Sequence, residues 1–141
     1  MGRIDLSRVI LGGVVAGIII NVFEFVLNGI VLADRWTNLM TSINRPPLGT
    51  VHVIAFNLLG FARGIAAVWT YAAIRPRFGA GPKTAVSAAL LTWITAYVLG
   101  NATLTITSIF SMSMTLTLAI VALVQIIVAT VAGAYFYKET A

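Results

Sequence analysis

Cysteine is absent, histidine occurs once, as His52, and only 9% of the 141 residues are charged. Without cysteine there is no disulfide exchange, no thiolate nucleophile and no cysteine-held iron–sulfur cluster. With one imidazole, a single copy of the chain cannot assemble a zinc site or a bis-histidine haem site, so no metal or cofactor is expected. The shortage of charge excludes as much, because a soluble domain carries about 25% charged residues. A water-soluble globular domain, a disordered chain and a nucleic-acid-binding domain all fall away. The formal net charge of +5, from nine basic residues against four acidic ones, is then an orientation signal and not a polyanion-binding surface. What the chain has in abundance is apolar: 60% of its residues are hydrophobic, and its mean hydropathy is +1.00.

Crossing the hydrocarbon core of a bilayer takes about 20 mostly apolar residues. Four stretches qualify, over residues 9–32, 53–74, 84–104 and 115–137. The expected fold class is all-α, a polytopic membrane protein whose residues 1–141 form one domain of four transmembrane helices in an antiparallel bundle. The first stretch follows Arg3 and Arg8 as a signal peptide would. Its apolar run is much longer than the roughly 7–15 residues of a signal core, so it reads as a retained helix. Four crossings put both termini on one side. Arg3, Arg8, Arg75, Arg77, Lys83 and Lys138 share that side, against Arg35 and Arg45 on the other, and the positive-inside rule places the termini in the cytoplasm.

The connections carry their own signals. Arg75-Pro-Arg-Phe-Gly-Ala-Gly-Pro-Lys83 reads as a tight turn and a topology anchor, with anionic head groups as a further contact. In the first external connection, Asp34 is placed to cap a short helix over 34–43, with Trp36, Leu39, Met40 and Ile43 on one apolar face. Such a segment lies flat at the membrane interface, anchored by its tryptophan. Between Thr103 and Thr117 the chain is uncharged and alternates hydroxyl with apolar residues. Within a membrane this predicts two helix ends whose hydroxyls bond back to the backbone. The first half does not repeat in the second, and lone His52 reads as a helix-end or interfacial residue.

Two ionisable residues lie inside the spans, Glu24 in the first and Arg63 in the second. An ionisable group near the bilayer centre costs about 2.5–3.5 kcal/mol even on the mildest scale, which makes each a candidate functional residue. At a rise of ~1.5 Å per residue, Arg63 falls near the midplane and Glu24 about 5 Å from it, so an intramolecular ion pair is expected. Helical spacing gathers Gly13, Gly17, Asn21, Glu24 and Asn28 into one stripe, and Asn57, Gly60, Arg63, Gly64, Ala67 and Tyr71 into another. Gly13 with Gly17, and Gly60 with Gly64, are GxxxG patterns that let helices approach closely. Asn28 and Asn57 come to the same depth and are expected to bond each other. Gln125 lies near the centre of the fourth span, and Trp93, Tyr97 and Asn101 line the third. The candidate ligand-binding or buried polar cluster is therefore Asn21, Glu24, Asn28, Asn57, Arg63 and Gln125. The competing role for these amides is to hold helices together.

Leu11-Gly-Gly-Val-Val-Ala-Gly-Ile-Ile-Ile-Asn-Val-Phe-Glu-Phe-Val-Leu-Asn-Gly29 and Tyr71-Ala-Ala-Ile-Arg-Pro-Arg-Phe-Gly-Ala-Gly-Pro-Lys83 resemble a family of small uncharacterised bacterial four-helix integral membrane proteins. That resemblance implies a multi-pass protein of the inner (cytoplasmic) membrane and names no chemistry. In plan the chain is also similar to small multidrug resistance transporters, short four-helix chains with a glutamate in the first helix that work as dimers. Only Glu24 carries over from that analogy. Arg63 departs from it, because a nearby guanidinium would neutralise the carboxylate that a cationic substrate needs. Two functions are expected to compete: binding or translocation of a small polar or amphipathic ligand, and a non-catalytic accessory or scaffold role in a larger membrane complex. No nucleophile or second carboxylate stands beside Glu24, so no enzyme is expected. The expected partners are membrane lipid and either further copies of the chain or other subunits, and not nucleic acid.

Overall fold

The structure, a computed structural model, describes residues 3–138. They form helices and connections with no strand among them. Four helical stretches are long and apolar enough to cross a membrane: Leu6–Val31, Thr50–Phe78, Pro82–Ile106 and Met112–Phe136. The first comprises α1 (Leu6–Val26) and a π-helical turn at Leu27–Val31, followed by the short α2 (Ala33–Ser42). The second is α3 (Thr50–Phe78). The third comprises α4 (Pro82–Trp93), a second π-helical turn at Ile94–Val98 and α5 (Leu99–Ile106), and the fourth is α6 (Met112–Phe136).

Local chemistry sets where these helices begin. Asp5 accepts the Arg8 amide hydrogen at 3.1 Å and caps α1. The Ser111 hydroxyl does the same for α6 through the Met114 amide. His52 Nδ1 accepts from the Gly49 amide at 3.1 Å, so the single imidazole closes the first turn of α3. Pro82 occupies the first turn of α4, where its missing N–H costs nothing. The turn before it depends on Gly79 and Gly81, at φ of 86° and 129°. The connection is shorter than the proline suggests, since α3 runs through Pro76 to Phe78. A proline in the last helical turn removes one hydrogen bond, which is tolerable where the helix ends two residues later.

In the bundle α1 packs against α3 and α6, and α4 packs against the same two helices from the other side. The shared interior is built from small residues. Ala16, Ala67, Ala72, Ala88, Ala89 and Ala129 are completely buried. Small side chains let backbones approach, which is how apolar helices gain packing energy when lipid offers no hydrophobic drive. The glycines take this furthest. A Cβ on Gly64 would lie 2.5 Å from both the Gly13 carbonyl oxygen and the Gly17 amide nitrogen, and one on Gly133 would lie 2.6 Å from the Gly12 carbonyl oxygen. The outer faces are the reverse: Leu6, Ile10, Val14, Ile18 and Val22 of α1, and Leu116, Ile120, Val124 and Val128 of α6, are all large, apolar and exposed at every fourth position.

Packing weakens towards the end that carries α2. Every residue from Thr50 to Leu59 is exposed, α5 has no buried residue, and α3 packs along α4 but not along α5. The hydroxyl-rich stretch there forms the end of α5 and the start of α6. Its threonines bond back as their spacing predicts, Thr103 to Leu99, Thr105 to Asn101 and Thr117 to Ser113. The Thr105 and Thr115 hydroxyls join the two ends directly.

Candidate functional site

Rotation about α1 decides which neighbour each of its polar residues meets. Gly12 and Ala16 face α6, whereas Gly13 and Gly17 lie under Ile65 and Phe61 of α3. Asn21 continues towards α3 and donates to the Asn57 carbonyl oxygen at 3.1 Å, its amide lying over the bare Cα of Gly60. Glu24 stands at the seam and turns towards α6. There Gln125 Nε2 donates to Glu24 Oε1 at 2.7 Å. On its other oxygen Glu24 accepts from Asn28 Nδ2 at 2.5 Å.

Both ends of this contact are extended by residues in or just beyond the π-helical turns. Asn28 lies in the first, and its Oδ1 accepts from Trp36 Nε1 of α2 at 2.9 Å. Tyr97 lies in the second, and its hydroxyl oxygen accepts from Gln125 Nε2 at 3.0 Å. The Arg63 guanidinium sits over the Tyr97 ring, 4.8 Å from its centroid, a cation–π contact. A continuous polar chain thus runs from Trp36 through Asn28, Glu24, Gln125 and Tyr97 to Arg63 and takes a residue from each spanning stretch. π-Helical turns account for well under 1% of residues in proteins and recur at functional sites. Here each of the two supplies one link.

The chain's centre is incompletely satisfied. Gln125 is completely buried. Both hydrogens of its amide nitrogen are engaged, by Glu24 and Tyr97, while its Oε1 has no donor. A buried acceptor left without a partner costs about 1–3 kcal/mol. Arg63 is in a similar position: among the described residues no carboxylate or carbonyl accepts a hydrogen bond from it, and its contact is the aromatic ring.

Three expectations are corrected by this geometry. Glu24 and Arg63 form no direct ion pair, because Glu24 faces α6 and Arg63 faces the α4 side, with Gln125 and Tyr97 between them. Asn28 and Asn57 do not bond each other either. Asn28 is held by Glu24 and Trp36, and Asn57 donates to its own helix at Val53. Asn21 and Asn57 make a separate α1–α3 contact beside an open recess of about 360 Å³ lined also by Ile18, Val22, Phe25 and Phe61. Asp34 lies in the first turn of α2 instead of capping it, since α2 starts one residue earlier, straight out of the π-helical turn.

Sequence reasoning passed over Trp36 and Tyr97 as members of the chain. Tyr97 had a signal, its place on a stripe with Trp93 and Asn101, and the structure adds that Trp93 Nε1 bonds the Ala119 carbonyl oxygen of α6 at 2.8 Å. Among the described residues no group of three or more His, Cys, Asp or Glu is placed to hold a metal ion. No protein-family model, curated protein or solved structure matches the chain. What stands of the resemblance is its coarse part: four apolar helices of a size suited to a small membrane protein.

Proposed function

We propose that the protein binds a small polar or amphipathic ligand at this polar chain, and that an assembly of copies translocates it. The carrying observation is Gln125, completely buried with both amide hydrogens engaged and its carbonyl oxygen without a donor. A buried acceptor without a partner is free to take a donor from an arriving ligand. Glu24 and Arg63 supply opposite charges on either side of it. Four helices enclose little volume, so translocation calls for more than one copy.

In this reading α2 is an interfacial cover at the outward mouth. Its Trp36 closes the chain from above and packs edge-on against Phe110, with ring centroids 5.7 Å apart. Beside it is an open recess of about 330 Å³, lined by Arg35, Asn38, Leu39, Met114 and neighbouring residues. The termini and the Arg75–Lys83 connection face the cytoplasm by the positive-inside rule, in a bacterial inner membrane. Catalysis is not assigned, since the neighbours of Glu24 are amides and a phenol.

The second reading is a non-catalytic accessory subunit. Its support is the ten-residue run Thr50–Leu59, exposed on every side of the helix, a surface suited to docking on another membrane protein. Native mass spectrometry of the protein released from its own membrane separates the two. A retained small molecule supports ligand binding; stoichiometric partner proteins with no small adduct support the accessory role and contradict the first.

A further inference from the structure

The polar chain ends on a guanidinium to which, among the described residues, no carboxylate or carbonyl is bonded, and its surroundings specify what it can take. Arginine carries five N–H donors in a planar fork suited to carboxylate or phosphate. Within a spanning helix these donors are expensive to leave empty. Arg63 is half-buried and rests on the Tyr97 ring, and among the described residues no carboxylate or carbonyl accepts from its fork.

The edge is reached from the side. At about 100° per residue, Phe56, Arg63, Ala67 and Ile74 share one face of α3. That face is closed at Ala67, completely buried, and opens along the helix to Phe56, 49% exposed. The cause is the divergence of the bundle, since α3 packs along α4 but leaves α5. A wedge therefore opens to the bilayer between the first half of α3 and α5, with Arg63 towards its inner end.

We propose that Arg63 binds the oxyanion head of one lipid-like amphiphile, which enters sideways through the wedge between α3 and α5. This deepens the proposed ligand-binding function by naming the ligand's class, and it rests on that reading. The shared chemistry is an oxyanion on the guanidinium fork, where a carboxylate or phosphate makes paired, charge-assisted bonds. The source is lipid-like because the exposed flank leading to Arg63 carries Phe56 and Leu59, against which an amphiphile's tail gains apolar contact that a free anion does not.

The test uses the full chain in phosphatidylcholine nanodiscs doped with phosphatidylglycerol, with retained lipid read by native mass spectrometry. The wild type is expected to keep one phosphatidylglycerol, enriched about tenfold over its share of the bilayer. Arg63→Met reduces the enrichment to parity. Arg63→Lys, which keeps the charge but loses the fork, falls between, and it serves as the test if the methionine variant does not fold. Arg45→Gln, at an exposed basic residue of the connection between α2 and α3, leaves the enrichment unchanged. Equal retention of both lipids by the wild type, undiminished enrichment in the folded Arg63 variants, or displacement of the lipid by inorganic phosphate would overturn the proposal. A retained neutral molecule that disappears in Glu24→Gln would remove this role from Arg63 and leave the broader ligand-binding reading standing.

Discussion

Gln125 and the close-packed glycines are held by opposite means, hydrogen bonds in one case and the absence of a side chain in the other. Reversing the Gln125 amide would set its oxygen against the Glu24 carboxylate, so the orientation that satisfies the nitrogen also strands the oxygen. Gly64 has no such choice, because a Cβ there meets the backbone of α1, which cannot give way as a flexible side chain would. We expect Gly64→Ala to destabilise the protein by about 1–3 kcal/mol, as overpacking does. Gly100→Ala, where an added Cβ meets nothing within 4 Å, is expected to change stability by less than about 1 kcal/mol. Thermal melts of the two variants in the same detergent check the contrast; equal shifts would contradict it. These glycine contacts were legible in the sequence, since GxxxG spacing depends only on helical geometry. The partners of Glu24 and Arg63 were not. Depth along the helix placed the two side by side, but the rotation that turns one to α6 and the other to the α4 side depends on how four helices pack.

At the scale of elements, the two π-helical turns govern the site. Leu27-Asn-Gly-Ile-Val31 and Ile94-Thr-Ala-Tyr-Val98 carry no proline and sit within longer apolar stretches, so their sequences read as continuous helix. One extra residue in a turn alters the facing of everything that follows, and this is why the links made by Tyr97 and Trp36 were not legible while the four spans themselves were plain. The short helix over 34–43 was also legible from its apolar spacing, and it forms as Ala33–Ser42. Trp36 ties it to the site through the bond to Asn28. Trp36→Phe keeps the ring against Phe110 and removes the donor. We expect amide hydrogens of residues 33–42 to exchange faster in that variant, while α6 keeps its protection, as measured by hydrogen exchange with mass spectrometry. Unchanged protection of α2 would show that its apolar face alone holds it in place.

For the whole molecule, charge and hydropathy carry the plan. The long apolar stripes of α1 and α6 and the alanine-rich interior suit a bundle with lipid around it, and the basic residues gather at the end opposite α2. The positive-inside rule then predicts that a cysteine at Ala80, an exposed site in the connection between α3 and α4, is labelled by membrane-impermeant maleimide only after the cytoplasmic face is opened. Labelling in intact cells would reverse the orientation. The central claim is that the chain through Glu24 and Gln125 is a binding site and more than a tie between helices. The direct test is native mass spectrometry over a temperature ramp for the wild type, Glu24→Gln and Gln125→Met, near-isosteric changes that cost about 1–3 kcal/mol each in lost hydrogen bonding. We predict a small-molecule adduct on the wild type, and two variants that still fold, melting no more than about ten degrees lower, and carry none. A wild type with no adduct, and variants that unfold well below it, would contradict the account and make the polar chain a structural tie.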